Sequence, residues 1–172
     1  MKQAVWILVA FALLALVSPL LGRLDSQLFA PDVALLTALY AGSRSTLLPA
    51  VVVGFVVGLL KDGLALGAPV GMYTEINVLC VLAARVLERR VDLHSPVPLM
   101  ATAAGLSLAA TTLFLLLEAV FHRSFNAWGD VIRMAMPLAL VTMLVAPVQF
   151  ALLDRITRRL ENHPRGSVLL RR

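Results

Sequence analysis

The sequence is poor in charged residues, and this limits the class of protein it can be. Only 15% of its 172 residues are charged, against roughly 25% in an average soluble domain. Apolar residues make up 60% of the chain, and the mean hydropathy is +0.89. The composition therefore predicts an integral membrane protein, with no room for a separate soluble catalytic domain.

Cysteine and histidine are too few to predict a metal site or a disulfide. The chain has one cysteine, Cys80, which lies inside an apolar run and has no internal partner. His94, His122 and His163 fall in predicted loops or in the tail, on different sides of the membrane. The sequence also lacks the motifs of zinc proteases, phosphate-binding loops, dinucleotide-binding folds and serine hydrolases. We therefore expect no cofactor, no metal and no catalytic residue.

Apolar runs separated by short charged segments predict an all-α bundle of about six transmembrane helices over residues 1–153. Each spanning helix needs about 20 residues. The predicted spans are 4–22, 28–42, 46–60, 70–87, 97–121 and 131–153, followed by a basic tail, 154–172. The first run is interpreted as a retained helix, because it is longer than the apolar core of a secretory signal. The second is short and contains Pro31 and Asp32.

The basic residues predict how the chain is oriented in the membrane. The net charge is +5, and six of the 15 basic residues lie in the tail. With six spans and an internal N-terminus, eleven basic residues fall on the inner side and four on the outer side. This distribution satisfies the positive-inside rule. We therefore expect both termini in the cytoplasm, and we attribute the charge to membrane orientation rather than to nucleic-acid binding.

Ionisable residues in or beside the predicted spans fall toward the outer leaflet in this topology. They form a candidate outward polar cluster of Asp32, Lys61, Asp62, Glu75, Glu118 and Arg133. Charges at membrane depth usually face partners or water, so we expect Asp32 or Glu75 to pair with a cation. Lys61 and Arg133 are the candidate cations. Asp32 has a second interpretation, as a carboxylate facing the positive end of its helix dipole. Proteolysis by paired aspartates is disfavoured because neither Asp32 nor Asp62 lies in mid-span.

Small residues in the third span create a surface that another helix can approach closely. Gly54 and Gly58 form a small-xxx-small step on one helix face. This step is interpreted either as packing within the bundle or as contact with a partner helix. The glycines and proline of 63–71 predict a buried hairpin or re-entrant turn, because irregular backbone in a membrane must be covered by protein or water. Gly71 is a further candidate packing or partner-contact residue.

The basic tail has two interpretations. Arg155, Arg158 and Arg159 lie among leucine and isoleucine residues directly after the last apolar run. They can extend the sixth helix along the membrane surface and contact anionic lipid. Alternatively, they serve only to keep this end of the chain inside.

The region from Pro31 to Gly71 carries a family resemblance. Pro31-Asp32 opens a short second helix, and a charged turn precedes Gly54-Phe55-x-x-Gly58-Leu59-Leu60-x-Asp62, Gly67, Pro69 and Gly71. This pattern resembles the rod shape-determining membrane protein MreD, and the size, six-span layout and basic tail agree with it. Lys61 is a departure, because that family more often has a neutral polar residue before the aspartate.

The resemblance implies a non-enzymatic scaffold of the bacterial inner membrane. MreD proteins pair with the bitopic protein MreC, and they work with the actin-like MreB, the glycosyltransferase RodA and a class B penicillin-binding protein in lateral peptidoglycan synthesis. Their fold is similar to that of the substrate-binding subunits of energy-coupling-factor transporters. The resemblance assigns no chemistry to the matching residues Asp32, Gly54, Gly58, Asp62 and Gly71.

The alternative function is a substrate-binding subunit of an energy-coupling-factor vitamin transporter. Six helices and an outward polar cluster would also suit the capture of a small vitamin. Such subunits commonly carry Ala-x-x-x-Ala in the first helix, and the alanines of residues 4–22 do not have this spacing. The aromatic content of 6% is also low for a pocket that holds a ring. The sequence therefore favours the scaffold.

Overall fold

The described part of the chain consists of helices joined by short turns and contains no strand. A computed structural model describes residues 2–23, 30–64, 71–93, 95–121 and 128–161. The helices are α1 (Lys2–Arg23), α2 (Val33–Arg44), α3 (Leu47–Leu64), α4 (Met72–Glu88), α5 (Pro96–Phe121) and α6 (Trp128–Glu161). The all-α prediction is confirmed, and each helix overlaps one predicted span. Some predicted features lie outside the described residues: the second span before residue 30, Gly67, Pro69, the three histidines and the tail beyond residue 161.

Among the described residues, three helices are long and apolar enough to cross a bilayer, which corrects the prediction of six spans. They are Leu47–Leu64, Pro96–Phe121 and Trp128–Leu160. α2 has 12 residues and α4 has 17. At 1.5 Å per residue these are about 18 and 26 Å long, less than a hydrocarbon core of about 30 Å. α1 contributes a shorter apolar stretch, Lys2–Leu16. The described residues thus form a helical protein with three candidate membrane spans.

α2 lies at the centre of the bundle. Every residue from 33 to 43 is buried, and the helix packs against α1, α3, α4 and α6. A helix that is apolar on all sides is either covered by protein or exposed to lipid, and the neighbours of α2 leave none of these residues exposed. The shortness of α2 is therefore compatible with a membrane protein, because protein rather than lipid surrounds it.

Glycines allow α4 to pack tightly against α2 and α3. A Cβ added at Gly58 would lie 2.5 Å from the α4 backbone, and one at Gly54 would lie 2.7 Å from the Val81 side chain. Gly42 in α2 is equally close, since its Cβ would lie 2.8 Å from the Val81 carbonyl oxygen. Gly54 and Gly58 thus pack helices within the bundle, the first of the two interpretations. Sequence analysis did not single out Gly42.

α6 continues past the predicted end of the last span at residue 153. It is helical to Glu161 and includes two internal prolines, Pro137 and Pro147. Leu153 is fully buried, so the bundle does not end there. Residues 154–161 thus continue α6, as in the interpretation in which the arginines extend the sixth helix, and the boundary between membrane domain and tail stays a prediction.

Candidate functional site

The start of α2 and the end of α3 are joined by an ion pair. Lys61 Nζ lies 2.7 Å from Asp32 Oδ2, and the two side chains are only 22% and 11% exposed. The other carboxylate oxygen of Asp32 accepts a hydrogen bond from the backbone N–H of Leu35 at 3.1 Å, which caps α2. The predicted pairing of Asp32 with Lys61 is present. Asp32 also acts at its helix N-terminus, so the two interpretations of this residue are compatible.

An aromatic ring completes the surroundings of the Lys61 ammonium group. Lys61 Nζ lies 4.3 Å from the centroid of the Tyr73 ring, within the range of a cation–π interaction. Tyr73 in turn stacks on Phe114 of α5, with ring centroids 5.6 Å apart. Four helices therefore contribute to this site. Sequence analysis missed Tyr73, because a ring above an ammonium on another helix leaves no spacing signal.

Asp62 holds the first turn of α4. Its carboxylate is 4% exposed and accepts hydrogen bonds from the backbone N–H groups of Gly71, Tyr73 and Thr74, at 2.9 to 3.1 Å, and from the Thr74 hydroxyl. Gly71 occupies the N-cap position, so α4 has no capping side chain of its own there. Asp62 supplies the missing oxygen from α3. This capping links the ends of α3 and α4, as expected for a hairpin.

Gly71 has a conformational role rather than a packing role. Its φ is +105°, a region that residues with a Cβ rarely adopt. A Cβ there would meet nothing within 4 Å. The structure therefore shows no packing role for Gly71 within the chain, and the glycine is required by the backbone turn that presents its N–H to Asp62. Contact of Gly71 with a partner stays a prediction.

The remaining members of the predicted cluster lie in different surroundings. Glu118 is buried in α5, whereas Glu75 and Arg133 have exposed side chains. Thr74 faces Asp62 of α3. Glu75 is the next residue, and one position along a helix rotates the side chain by about 100°, so Glu75 points away from α3. Arg133 lies nine positions before Thr142 on α6, about 13 Å along the axis from the level of Asp32. Glu75 and Arg133 are thus set apart from the ion pair, whereas Asp32, Lys61, Asp62 and the buried Glu118 all lie within electrostatic reach of Tyr73.

The ion pair lies beside the middle of α6. The backbone N–H of Asp32 donates to Thr142 Oγ1 at 3.1 Å. Thr142 is fourteen positions after Trp128, where α6 begins. At 1.5 Å per residue, α6 extends about 20 Å beyond the start of α2. The Asp32–Lys61 pair therefore lies beside the long helix α6. The opposite charges of the two side chains compensate each other within the bundle.

A cavity of about 490 Å³ lies at the other end of α2. We call it the basic cavity. Its lining residues come from α1, from α2 and the turn into α3, and from α6: Lys2, Gln3, Trp6, Tyr40, Arg44, Ser45, Thr46, Asp154, Thr157 and Arg158. Sequence analysis placed the polar site at the opposite end and missed this cavity. Asp154 and Thr157, assigned to a tail, gave no indication that they face the bundle.

A hydrogen-bonded carboxylate anchors one wall of the basic cavity. The Tyr40 hydroxyl donates to Asp154 Oδ1 at 2.8 Å. The other oxygen of Asp154 lies 3.4 Å from a guanidinium nitrogen of Arg44. Asp154 therefore ties the C-terminal end of α2 to α6.

Aromatic rings form the inner part of the cavity wall. The Tyr40 ring makes edge-to-face contacts with Trp6 and Phe150, with centroids 5.2 and 5.1 Å away. The Trp6 indole N–H donates to Thr157 Oγ1 at 2.9 Å. These contacts between α1, α2 and α6 give the cavity a rigid wall, because each ring is fixed by a neighbour.

The cavity lining carries more positive than negative charge. Its cations are Lys2, Arg44 and Arg158, and its carboxylate is Asp154. Of the three tail arginines predicted to contact lipid, Arg158 lines the cavity. Arg155 and Arg159 are exposed outside it.

Neither metal ligands nor comparisons with other proteins assign a chemistry to these sites. Within the described residues, no group of three or more His, Cys, Asp or Glu side chains is placed to hold a metal ion. Searches against protein-family models, curated proteins and solved structures give no match. Function is therefore inferred from the contacts of this chain.

Proposed function

We propose that the protein is an MreD-like scaffold of the bacterial cell-elongation machinery. It would bind MreC and support lateral peptidoglycan synthesis together with MreB, RodA and a class B penicillin-binding protein. It would lie in the inner membrane with both termini in the cytoplasm. The observation that supports this proposal is the way in which the MreD-like residues of the chain hold its helices to each other.

The two aspartates of the MreD-like pattern are engaged in structural contacts. Asp62 accepts hydrogen bonds from the first turn of α4, and Asp32 caps α2 and pairs with Lys61. A catalytic carboxylate needs a reacting group within hydrogen-bond reach. Here the two carboxylates fix the ends of helices instead. This supports a scaffold, because the function of a scaffold depends on the shape that it presents to its partners.

The outer face of α3 is the surface that best suits a single-span partner. Leu48, Val52, Phe55 and Leu59 are exposed and follow one another at intervals of four, three and four residues. This is the spacing of a seam between two packed helices. The glycines of α3, for which contact with a partner helix was one of two interpretations, contact α4. We therefore assign the MreC helix to the exposed stripe rather than to the glycine face.

The test is affinity purification of the tagged protein from its native membranes in mild detergent. We expect MreC and wall-synthesis enzymes to co-elute. Changing Phe55→Ala together with Leu59→Ala is expected to lower the recovery of MreC at least fivefold, with the amount of the protein itself unchanged. The matched control is Leu140→Ala with Leu144→Ala, two exposed leucines of α6, which is expected to leave recovery unchanged.

Two results would contradict the proposal. Recovery of a pair of ATPases with a coupling membrane subunit, in place of MreC, would identify a vitamin-transporter subunit. Equal loss of MreC in the α3 and α6 variants would show that the α3 stripe is ordinary lipid-facing surface and would remove the assigned docking face.

A further inference from the structure

The lining of the basic cavity has the donors that a phosphate group requires. Lys2, Arg44 and Arg158 supply positive charge from three different parts of the chain. Thr46 adds a hydroxyl group at the turn between α2 and α3, whereas the Ser45 hydroxyl donates to the Ala41 carbonyl oxygen. Cations and hydroxyl donors converging on one space are the usual surroundings of a phosphate oxyanion.

Size and shape also fit a small anion or a lipid headgroup. A volume of about 490 Å³ lies within the range of about 300 to 1,000 Å³ typical of ligand sites. The Trp6–Tyr40–Phe150 ring contacts close the cavity on the side of the core. A ligand would therefore be held by its polar group, with the remainder directed out of the bundle.

The surroundings of the cavity are suited to a lipid. Leu47 and Leu48 follow Thr46 directly, and both are exposed. On α6, Leu152 and Leu160 are exposed on either side of Arg158 in sequence. Exposed leucines next to a charged cavity provide apolar surface for acyl chains. Basic pockets between membrane helices are known binding places for anionic headgroups.

Asp154 limits the positive charge of the cavity and orients Arg44. Its carboxylate is 3.4 Å from Arg44 and accepts the Tyr40 hydroxyl hydrogen bond. Arg44 is therefore held at the cavity wall by Asp154. An asparagine at residue 154 would keep an acceptor for Tyr40 and remove one negative charge.

We propose that the basic cavity binds a phosphate-bearing anion through Arg158, Arg44 and Lys2. Its source is either the headgroup of an anionic phospholipid in the surrounding leaflet or a water-soluble phosphate compound. The residues that line the cavity lie on α1, on α2 and the turn after it, and near the end of α6, so only the flanking Leu48 is shared with the outer face of α3 that is proposed to bind MreC.

The first experiment measures lipid retention by the full-length protein. Purified protein is placed in mixed micelles containing equal amounts of phosphatidylglycerol and phosphatidylcholine, and bound lipids are counted by native mass spectrometry. We expect selective retention of phosphatidylglycerol. Arg158→Gln is expected to reduce that retention about fivefold, the effect of about 1 kcal/mol for one basic residue near an anionic surface. Asp154→Asn is expected to increase it by a similar factor.

The matched control is Arg155→Gln. Arg155 lies three residues before Arg158 on the same helix, but it is exposed outside the cavity. Its replacement removes the same charge from the same end of α6 and is expected to leave retention unchanged. Equal losses in the two arginine variants would overturn the proposal, because they would indicate general attraction between a basic surface and anionic micelles.

The second experiment distinguishes the two sources of phosphate. Lipid-depleted protein in a neutral detergent is titrated with inorganic phosphate, and the thermal unfolding midpoint is recorded. An increase in wild type that is absent in Arg158→Gln, without selective lipid retention, would assign the cavity to a soluble phosphate compound. Selective retention of phosphatidylglycerol would assign it to a headgroup. A chain that responds to neither probe would overturn the proposal.

Discussion

At the scale of single residues, the Asp32–Lys61 pair shows how a charged contact is accommodated inside the bundle. Both side chains are largely buried, and Lys61 Nζ also faces the Tyr73 ring. Removing one member of a buried pair leaves an uncompensated charge and costs about 3 to 5 kcal/mol. Replacing both members removes the charges together and is often close to neutral. The pair is therefore expected to behave as one unit.

This coupling can be measured with three variants. Lys61→Met and Asp32→Asn are each expected to lower the free energy of unfolding by about 3 kcal/mol. The double variant is expected to lose less than either single variant. Asparagine is chosen because it remains a good N-cap residue, so the comparison isolates the charge. Thermal unfolding in detergent gives the measurement, and a double variant as unstable as the sum of the two singles would rule out the coupling.

At the scale of helices, sequence predicted the existence of the elements better than their contacts. The apolar runs predicted all six helices, because each run must be buried against protein or lipid. The same runs did not show whether the helix face with Gly54 and Gly58 packs against α4 or against a partner protein. Small residues allow close packing with either helix. Asp62 could be recognised as unusual in an apolar setting, but its role as a cap for α4 depends on a turn at Gly71 that spacing alone does not specify.

The tight contact at Gly58 predicts that a larger side chain at this position destabilises the protein. A Cβ at Gly58 would lie 2.5 Å from Thr74 Cα, so Gly58→Ala must separate α3 from α4. It is expected to cost about 1 to 3 kcal/mol and to lower the unfolding midpoint and the amount of folded protein in membranes. Gly105 in α5 is the control, since a Cβ there would meet nothing within 4 Å. Gly105→Ala is expected to be neutral or stabilising, by up to about 1 kcal/mol. Equal effects at both positions would contradict the close approach of α4.

At the scale of the whole molecule, one end of the bundle collects the starts and ends of several helices. Lys2 of α1 and Thr46 before α3 line the same cavity as Arg158 near the end of α6. Arg85, near the end of α4, donates to the Ser45 carbonyl oxygen at 2.8 Å. The chain therefore returns to this end repeatedly, although α2 and α4 are too short to cross a bilayer unaided. The sequence predicted that successive helices run in alternating directions. Helix length alone did not predict that the short helices α2 and α4 lie inside the bundle, packed beside longer helices.

This arrangement makes a prediction about which residues share a side of the membrane. Lys2 and Arg89 lie at the cavity end, whereas Asp130 is 24 positions before Asp154 on α6, about 36 Å along the helix and more than the thickness of a hydrocarbon core. Cysteines introduced one at a time by Lys2→Cys, Arg89→Cys and Asp130→Cys are tested with a membrane-impermeant maleimide. Cys80 is buried, so the unmodified protein is expected to give little background. Lys2→Cys and Arg89→Cys should react only in inverted vesicles, and Asp130→Cys only in intact spheroplasts. Labelling of Lys2→Cys and Arg89→Cys from opposite sides would contradict the common end of α1 and α4, because both positions belong to the end of the bundle that contains the basic cavity.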